Sequence, residues 1–135
     1  MALYESGEDY LENNLMLKNE NGMVRSVDIA NRMGFSKPSV SRAMGILKKS
    51  GLITVDESGH IFLTEEGNAI AERIYERHNV ISAYLEYQLG VSEENALSDA
   101  CKIEHDLSEE SYNKMKEIVL RSNPEQLKKV RKRHF

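Results

Sequence analysis

Within the segment Cys101-Lys102-Ile103-Glu104-His105, a thiol, a carboxylate and an imidazole stand at positions i, i+3 and i+4. On a helix that spacing brings side chains within about a 100° arc of one face. Thiolate, imidazole and carboxylate together suit borderline divalent ions such as iron(II), cobalt, nickel and zinc, whereas an oxygen-rich set leans to manganese(II). The chain has one cysteine, so no internal disulfide is possible. That cysteine is buried, reactive or a metal ligand, and a reducing compartment suits all three. Asp9 and Glu12, also three apart, form a second carboxylate pair in the opening segment, and His78 stands alone in mid-chain. Taken singly, His78 reads as a satisfied interface histidine, and Asp9 and Glu12 as charges favoured by a helix N-terminus.

A second kind of chemistry lies in Ser36-Lys37-Pro38-Ser39-Val40-Ser41-Arg42. If this stretch opens the second helix of a helix-turn-helix, its exposed residues enter the major groove of double-stranded DNA. Val40 turns inward, which leaves Lys37, Ser39 and Arg42 as base readers. Ser41 shares that exposed start, and Arg25 and Ser36 are placed for phosphates. His60, near the tip of a following hairpin, is positioned for an adjacent phosphate or the minor groove, with a plain solvated turn as the alternative.

The elements that must carry these residues follow from caps and periodicity. A first helix runs from Glu5 to about Lys18, closed by Asn21-Gly22. Ser26 is a candidate cap for a short helix bearing Ile29, Ala30 and Met33, followed by a turn at Gly34. Ser36 caps the next helix, with Pro38 in its first turn and Val40, Ala43, Met44 and Leu47 as its apolar stripe. Segments 52–55 and 61–63 read as strands around the turn 56–60, a wing. Thr64 caps a long helix to about Leu89, stopped by Gly90. Ser92 opens a helix carrying the cysteine motif, and Ser108 opens another that ends near Asn123-Pro124. The basic end, Lys128 to Arg133, is expected to fray. The fold class is therefore mainly α: a winged helix-turn-helix over residues 1–70, then a helical dimerisation and metal-binding domain over 71–135.

At 135 residues, with 40% apolar and 30% charged residues, the chain fits one globular domain or two small ones sharing a core. Its net charge of −4 argues against nonspecific polyanion binding, but the charge is unevenly placed. Arg25, Arg32, Lys37, Arg42, Lys48 and Lys49 face only Asp28 between Val24 and Lys49. From Glu93 to Glu110 the balance reverses, with Lys102 the sole cation. A local basic surface can follow a phosphate backbone even on an acidic protein. No basic-then-apolar leader opens the sequence and no run approaches the roughly 18 apolar residues of a membrane span. A soluble, cytoplasmic protein without a membrane partner is the expectation.

Over nearly its whole length the sequence resembles the diphtheria toxin repressor family of metal-dependent repressors, especially its short, two-domain branch of manganese transport regulators. The resemblance is carried by Glu8-Asp9-Tyr10-Leu11-Glu12, Leu63-Thr64-Glu65-Glu66-Gly67, Arg77-His78, and Glu104-His105 followed by Leu107-Ser108. It implies a homodimeric winged-helix repressor with Asp9, Glu12, His78, Glu104 and His105 as metal ligands. Cys101 resembles the iron-responsive branch, where the manganese branch has a bridging glutamate; Asp9 resembles the manganese branch, where the iron branch has methionine. The ligand set is thus a hybrid, and iron(II) or manganese(II) is the expected ion, ahead of zinc, cobalt or nickel.

The function expected is a metal-responsive repressor of metal uptake or homeostasis genes. Two rivals differ in class. A winged-helix regulator answering a small molecule would bind DNA equally with or without chelator. A zinc or cysteine hydrolase would use Cys101 or a bound water, but the sequence carries no His-Glu-x-x-His or Gly-x-Ser-x-Gly motif, and three ligands so close favour capture over turnover.

Overall fold

The computed structural model describes residues 5–133. They form two compact units, one ending at Arg73 and one beginning at Ile74. The first contains α1 (Glu5–Asn21), α2 (Ser26–Met33), α3 (Lys37–Lys49), β1 (Ile53–Val55), β2 (Ile61–Leu63) and the opening turns of α4 (Glu65–Ala83). Its apolar residues Val24, Ile29, Val40, Met44, Leu47, Leu52, Ile53 and Ile61 are buried, which is what the apolar stripes on α2 and α3 require.

Between α2 and α3 the chain turns at Gly34, whose φ of 70° is open to glycine at no steric cost. The Ser36 hydroxyl then accepts from the Ser39 backbone N–H at 3.3 Å and starts α3. At the start of α2 the sequence expectation is off by one residue: Arg25, not Ser26, is the cap. The reason is tertiary. Arg25 forms an isolated antiparallel bridge with His60, which holds its backbone extended at φ −124° and ψ 161°. The Asp28 carboxylate accepts from its N–H at 2.9 Å.

The wing is a two-stranded antiparallel hairpin in the register Ile53↔Leu63, Thr54↔Phe62 and Val55↔Ile61. Asp56 closes its turn, its carboxylate accepting from the His60 backbone N–H at 2.8 Å. Thr64 starts α4: its hydroxyl accepts from the Gly67 N–H at 3.1 Å and donates to the Gly51 carbonyl at 2.8 Å. Gly67 is required because a Cβ there would meet the Leu52 carbonyl oxygen at 1.9 Å, so α4 packs directly on the backbone entering β1.

The second unit comprises the rest of α4, a π-helical turn (Tyr84–Gln88), α5 (Glu93–Ile103), α6 (Glu109–Ser122) and α7 (Pro124–Arg133). Val80, Ile81, Ala83, Ala100, Tyr112, Val119, Leu127 and Val130 form its core. Two expectations are corrected here. The long helix does not stay α-helical to Leu89, because after Ala83 it widens, with the Leu89 N–H reaching Tyr84 at 3.2 Å. The extra residue in the turn lets Tyr84, Leu85 and Tyr87 all pack on the core. Nor does the basic end fray through Arg133: Leu127 and Val130, one turn apart, bury into the core, and the Tyr75 hydroxyl donates to the Arg131 carbonyl at 3.3 Å. Among the described residues no helix is long and apolar enough to cross a membrane.

Candidate metal centre and recognition helix

Serine caps set the frame of the second unit. The Ser92 hydroxyl accepts from the Asn95 N–H and starts α5, and the Ser108 hydroxyl accepts from the Ser111 N–H and starts α6. Between them α5 ends at Ile103, so Cys101 lies on its last turn while Glu104 is its C-cap and His105 falls in the turn beyond. The three do not share one continuous helix as the spacing predicts. Glu104 nevertheless keeps helical dihedrals (φ −58°, ψ −29°), and the cluster survives the helix end.

Glu104 is fully buried. One carboxylate oxygen, Oε2, lies 3.0 Å from His78 Nδ1 on α4, and the other, Oε1, lies 3.4 Å from His105 Nε2. The Cys101 sulfur is 3.7 Å from the same His78 nitrogen. His78, isolated in the sequence, therefore joins the motif 23 or more positions away. Cys101 is exposed, which removes the buried-core reading of that residue.

Glu104 and His78, and Glu104 and His105, are spaced as neighbouring ligands of a divalent transition ion are, with the Cys101 sulfur beside His78. Ligands bound at about 2.0–2.3 Å stand roughly 3.0–3.8 Å from one another in tetrahedral or octahedral shells, the range spanned by the three separations here. The donor set is chemically apt as well: a carboxylate fully removed from water is costly unless charge is supplied beside it. Asp9 and Glu12 lie one turn apart on α1, in the first unit, with Asp9 half-buried and Glu12 buried.

On α3, the second helix of the helix-turn-helix and the candidate recognition helix, Lys37, Ser39, Ser41 and Arg42 are exposed while Val40 is fully buried. Lys37 and Arg42 enter no ion pair among the described residues. Ser36 is also exposed, but its hydroxyl is engaged at the helix start, donating to Ser39 Oγ at 2.8 Å. Arg25 is exposed and His60 partly so, and their bridge brings the two onto one edge of the wing. The His60 imidazole nitrogen Nδ1 stands 3.2 Å from Asp56 Oδ2. Hydrogen bonding to the His60 backbone holds the Asp56 carboxyl below its ordinary value, aided by the imidazole.

Two arginines have roles that local sequence did not reveal. Arg32 contributes to the basic bias around the recognition helix, but its guanidinium is spent on α1: Nη1 donates to both Glu20 carboxylate oxygens at 2.8 and 2.9 Å, and Nε to Asn13 Oδ1 at 3.1 Å. Asn13 in turn donates to the Asp9 carbonyl at 2.8 Å. Arg77 is buried and grips the turn after α5, donating to the Glu104 and Leu107 carbonyls at 2.9 and 2.8 Å. Both arginines find partners many residues away, beyond the reach of any local pattern.

Comparison with known proteins matches both parts of the chain. The family model for the N-terminal DNA-binding domain of iron-dependent repressors matches residues 2–61, and that for their metal-binding and dimerisation domain matches residues 64–129. The chain is 40% identical over 106 residues to the transcriptional regulator MntR of Escherichia coli, covering 78% of this chain and 68% of that protein. It is 30% identical over 127 residues to the HTH-type transcriptional regulator MntR of Lysinibacillus sphaericus, covering 93% and 91%. IdeR of T. acidophilum superposes with a TM-score of 0.74 at 25% identity, over 90% of this chain and 55% of that one. The chain thus spans about half the length of several solved structures it matches, this one among them. Matched by the models of both domains, the chain belongs to the iron-dependent repressor family, whose members are metal-dependent DNA-binding regulators and not enzymes.

Proposed function

We propose that this chain is a cytoplasmic, homodimeric repressor of metal uptake or homeostasis genes, with a divalent transition ion, iron(II) or manganese(II) first, as its corepressor. Residues 1–70 read an operator in double-stranded DNA; residues 71–135 dimerise and bind metal. The observation that carries this reading is buried Glu104, whose two oxygens face two different histidines beside the Cys101 thiol. Glu104 would serve as a ligand alongside either histidine. By the family resemblance, His105, Cys101 and Glu104 with Asp9 would hold the tighter ion, and His78 and Glu104 with Glu12 the weaker.

A bound ion would supply positive charge beside the carboxylates and the sulfur that hold it. The resemblance assigns ligands to both halves of the chain. Asp9 and Glu12 ride on α1, and α1 is tied to α2 of the helix-turn-helix through Arg32, Glu20 and Asn13. Fixing α1 restricts where the recognition helices of a dimer stand, and half-sites about 34 Å apart, or a multiple of it, reward only matched spacing. Lys37, Ser39 and Arg42 then meet base edges with Ser41 beside them on the DNA face, while Arg25 and Ser36 hold phosphates and His60 reaches an adjacent phosphate or the minor groove.

The test is DNA binding at fixed salt, since phosphate contacts make affinity salt-dependent. Duplexes selected from a random pool by the metal-supplemented protein are titrated with and without chelator. Chelation is expected to weaken binding by roughly 5- to 150-fold, the usual span of coupling between sites. Equal affinity in both conditions would instead favour a regulator answering a different small molecule.

A further inference from the structure

Arg77 stands beside His78 on α4 and is 5% exposed. Its Nη1 donates to the Glu104 carbonyl at 2.9 Å and the Leu107 carbonyl at 2.8 Å, and its Nη2 to Glu109 Oε2 at 2.9 Å. Its guanidinium lies over the Tyr112 ring, 4.9 Å from the centroid. The two carbonyls sit where α5 has ended, so they have no following helical turn to bond them. One planar fork therefore closes the end of α5, spans the turn that carries Glu104 and His105, and anchors it to the start of α6. The same backbone that places this fork places the imidazole of His78.

We propose that Arg77 is a positioning residue for the metal centre: it sets the distance between His78 and the Glu104–His105 turn, and so fixes the donor separations before an ion arrives. The proposal rests on the metal-binding reading above. A single ammonium cannot reproduce the geometry, because a lysine lacks the rigid fork that addresses two carbonyls and a carboxylate at once. Nor is the ion pair the main element. Glu109 is 68% exposed at its side chain, and a pair of that kind adds little. The carbonyl contacts, made by a desolvated guanidinium, are the ones that hold the turn.

The experiment titrates the full chain with cobalt(II), following both affinity and the visible and near-ultraviolet bands that report ligand field and thiolate coordination. Wild type, Arg77→Lys, Arg77→Gln and Glu109→Gln are compared, with circular dichroism and thermal unfolding of each metal-free protein. Wild type is expected to bind with a thiolate band. Both Arg77 variants should lose about 10- to 100-fold in affinity, the usual cost of removing an outer partner of a ligand, and show altered ligand-field bands while staying folded. Glu109→Gln should stay within a few-fold of wild type. Unchanged spectra and affinity in folded Arg77 variants would overturn the positioning role while leaving the metal centre intact. Absence of cobalt binding in wild type would overturn the metal-centre reading itself, and the positioning role with it. Loss of the fold in both Arg77 variants would make Arg77 a determinant of the fold, also against the proposal.

Discussion

Arg25 and His60 are joined as an isolated antiparallel bridge, 35 positions apart, flanked by the Ile61 N–H donating to the Val24 carbonyl at 2.8 Å. The bridge fastens the edge of the wing to the residue that starts α2, so a cation of the helix-turn-helix and the imidazole of the wing are held as one surface. Each is expected to meet phosphate and not base edges. Arg25→Gln and His60→Ala should each weaken binding to all duplexes about equally, with Arg25→Gln lowering the salt slope by about one. Affinities measured across several salt concentrations for the selected duplex and a scrambled one check this; a change in sequence preference would reassign either residue to base reading.

Asp56 gives the wing an acid-sensitive closure. Its carboxyl is held below the ordinary 3.8, chiefly by the His60 backbone N–H. A depressed carboxylate value stabilises the fold above the unfolded value, and that contribution disappears as pH falls through the depressed one. Asp56→Asn should therefore flatten the acid limb of stability below pH 4 relative to wild type. Thermal unfolding between pH 2 and 6 measures it, and parallel curves for the two proteins would contradict it.

At the other extreme of pH, burial pushes the Tyr112 phenol up to about 12, with the Glu76 carboxylate adding to the shift and Arg77 opposing it. The folded state thus keeps a proton that the unfolded state releases near 10. That contribution is whole below pH 10 and is lost as pH rises towards 12. Tyr112→Phe, which retains a ring beneath Arg77, should lose less stability over this interval than wild type. Urea unfolding at pH 9, 10 and 11 gives the comparison.

Cys101 is the only soft donor beside Glu104, His78 and His105. Replacing it with glutamate makes the set richer in oxygen, which should weaken iron(II), cobalt(II) and zinc binding relative to manganese(II). Parallel titrations of wild type and Cys101→Glu with these ions report the ratio. Unchanged selectivity would remove Cys101 from the ligand set.

His78 is assigned to the weaker of two ions. His78→Ala should reduce the weaker binding and leave one tight ion per subunit largely in place. Calorimetric titration with manganese(II) separates the two. Two equally tight ions in wild type, or loss of all binding in the variant, would contradict the division between His78 and His105.

Much of this architecture was legible because it is written in short-range chemistry. Ser36, Thr64, Ser92 and Ser108 each start a helix with their own hydroxyl, an interaction three residues long that a sequence displays directly. Gly34 marks its turn by needing positive φ. The inward Val40 and the exposed Lys37, Ser39, Ser41 and Arg42 follow from helical period alone. Cys101, Glu104 and His105 announced themselves by residue type and spacing, even though the helix that was to carry all three stops at Ile103.

What the tertiary structure decided is whatever depends on partners distant in the chain. Arg25 displaces Ser26 as a cap because a wing residue far along the chain pairs with it. Arg32, counted in the sequence only as part of the basic bias, becomes a clamp because Glu20 and Asn13 lie within its reach. The basic end becomes α7 because the core of the second unit accepts Leu127 and Val130. Arg77 and His78 were two adjacent residues of a resemblance; folding makes one the grip on the Glu104 turn and the other the neighbour of its carboxylate. Periodicity and caps specify each element from within. Buried polar groups must find charge or hydrogen bonds wherever the packing supplies them, and that supply exists only once the helices have met.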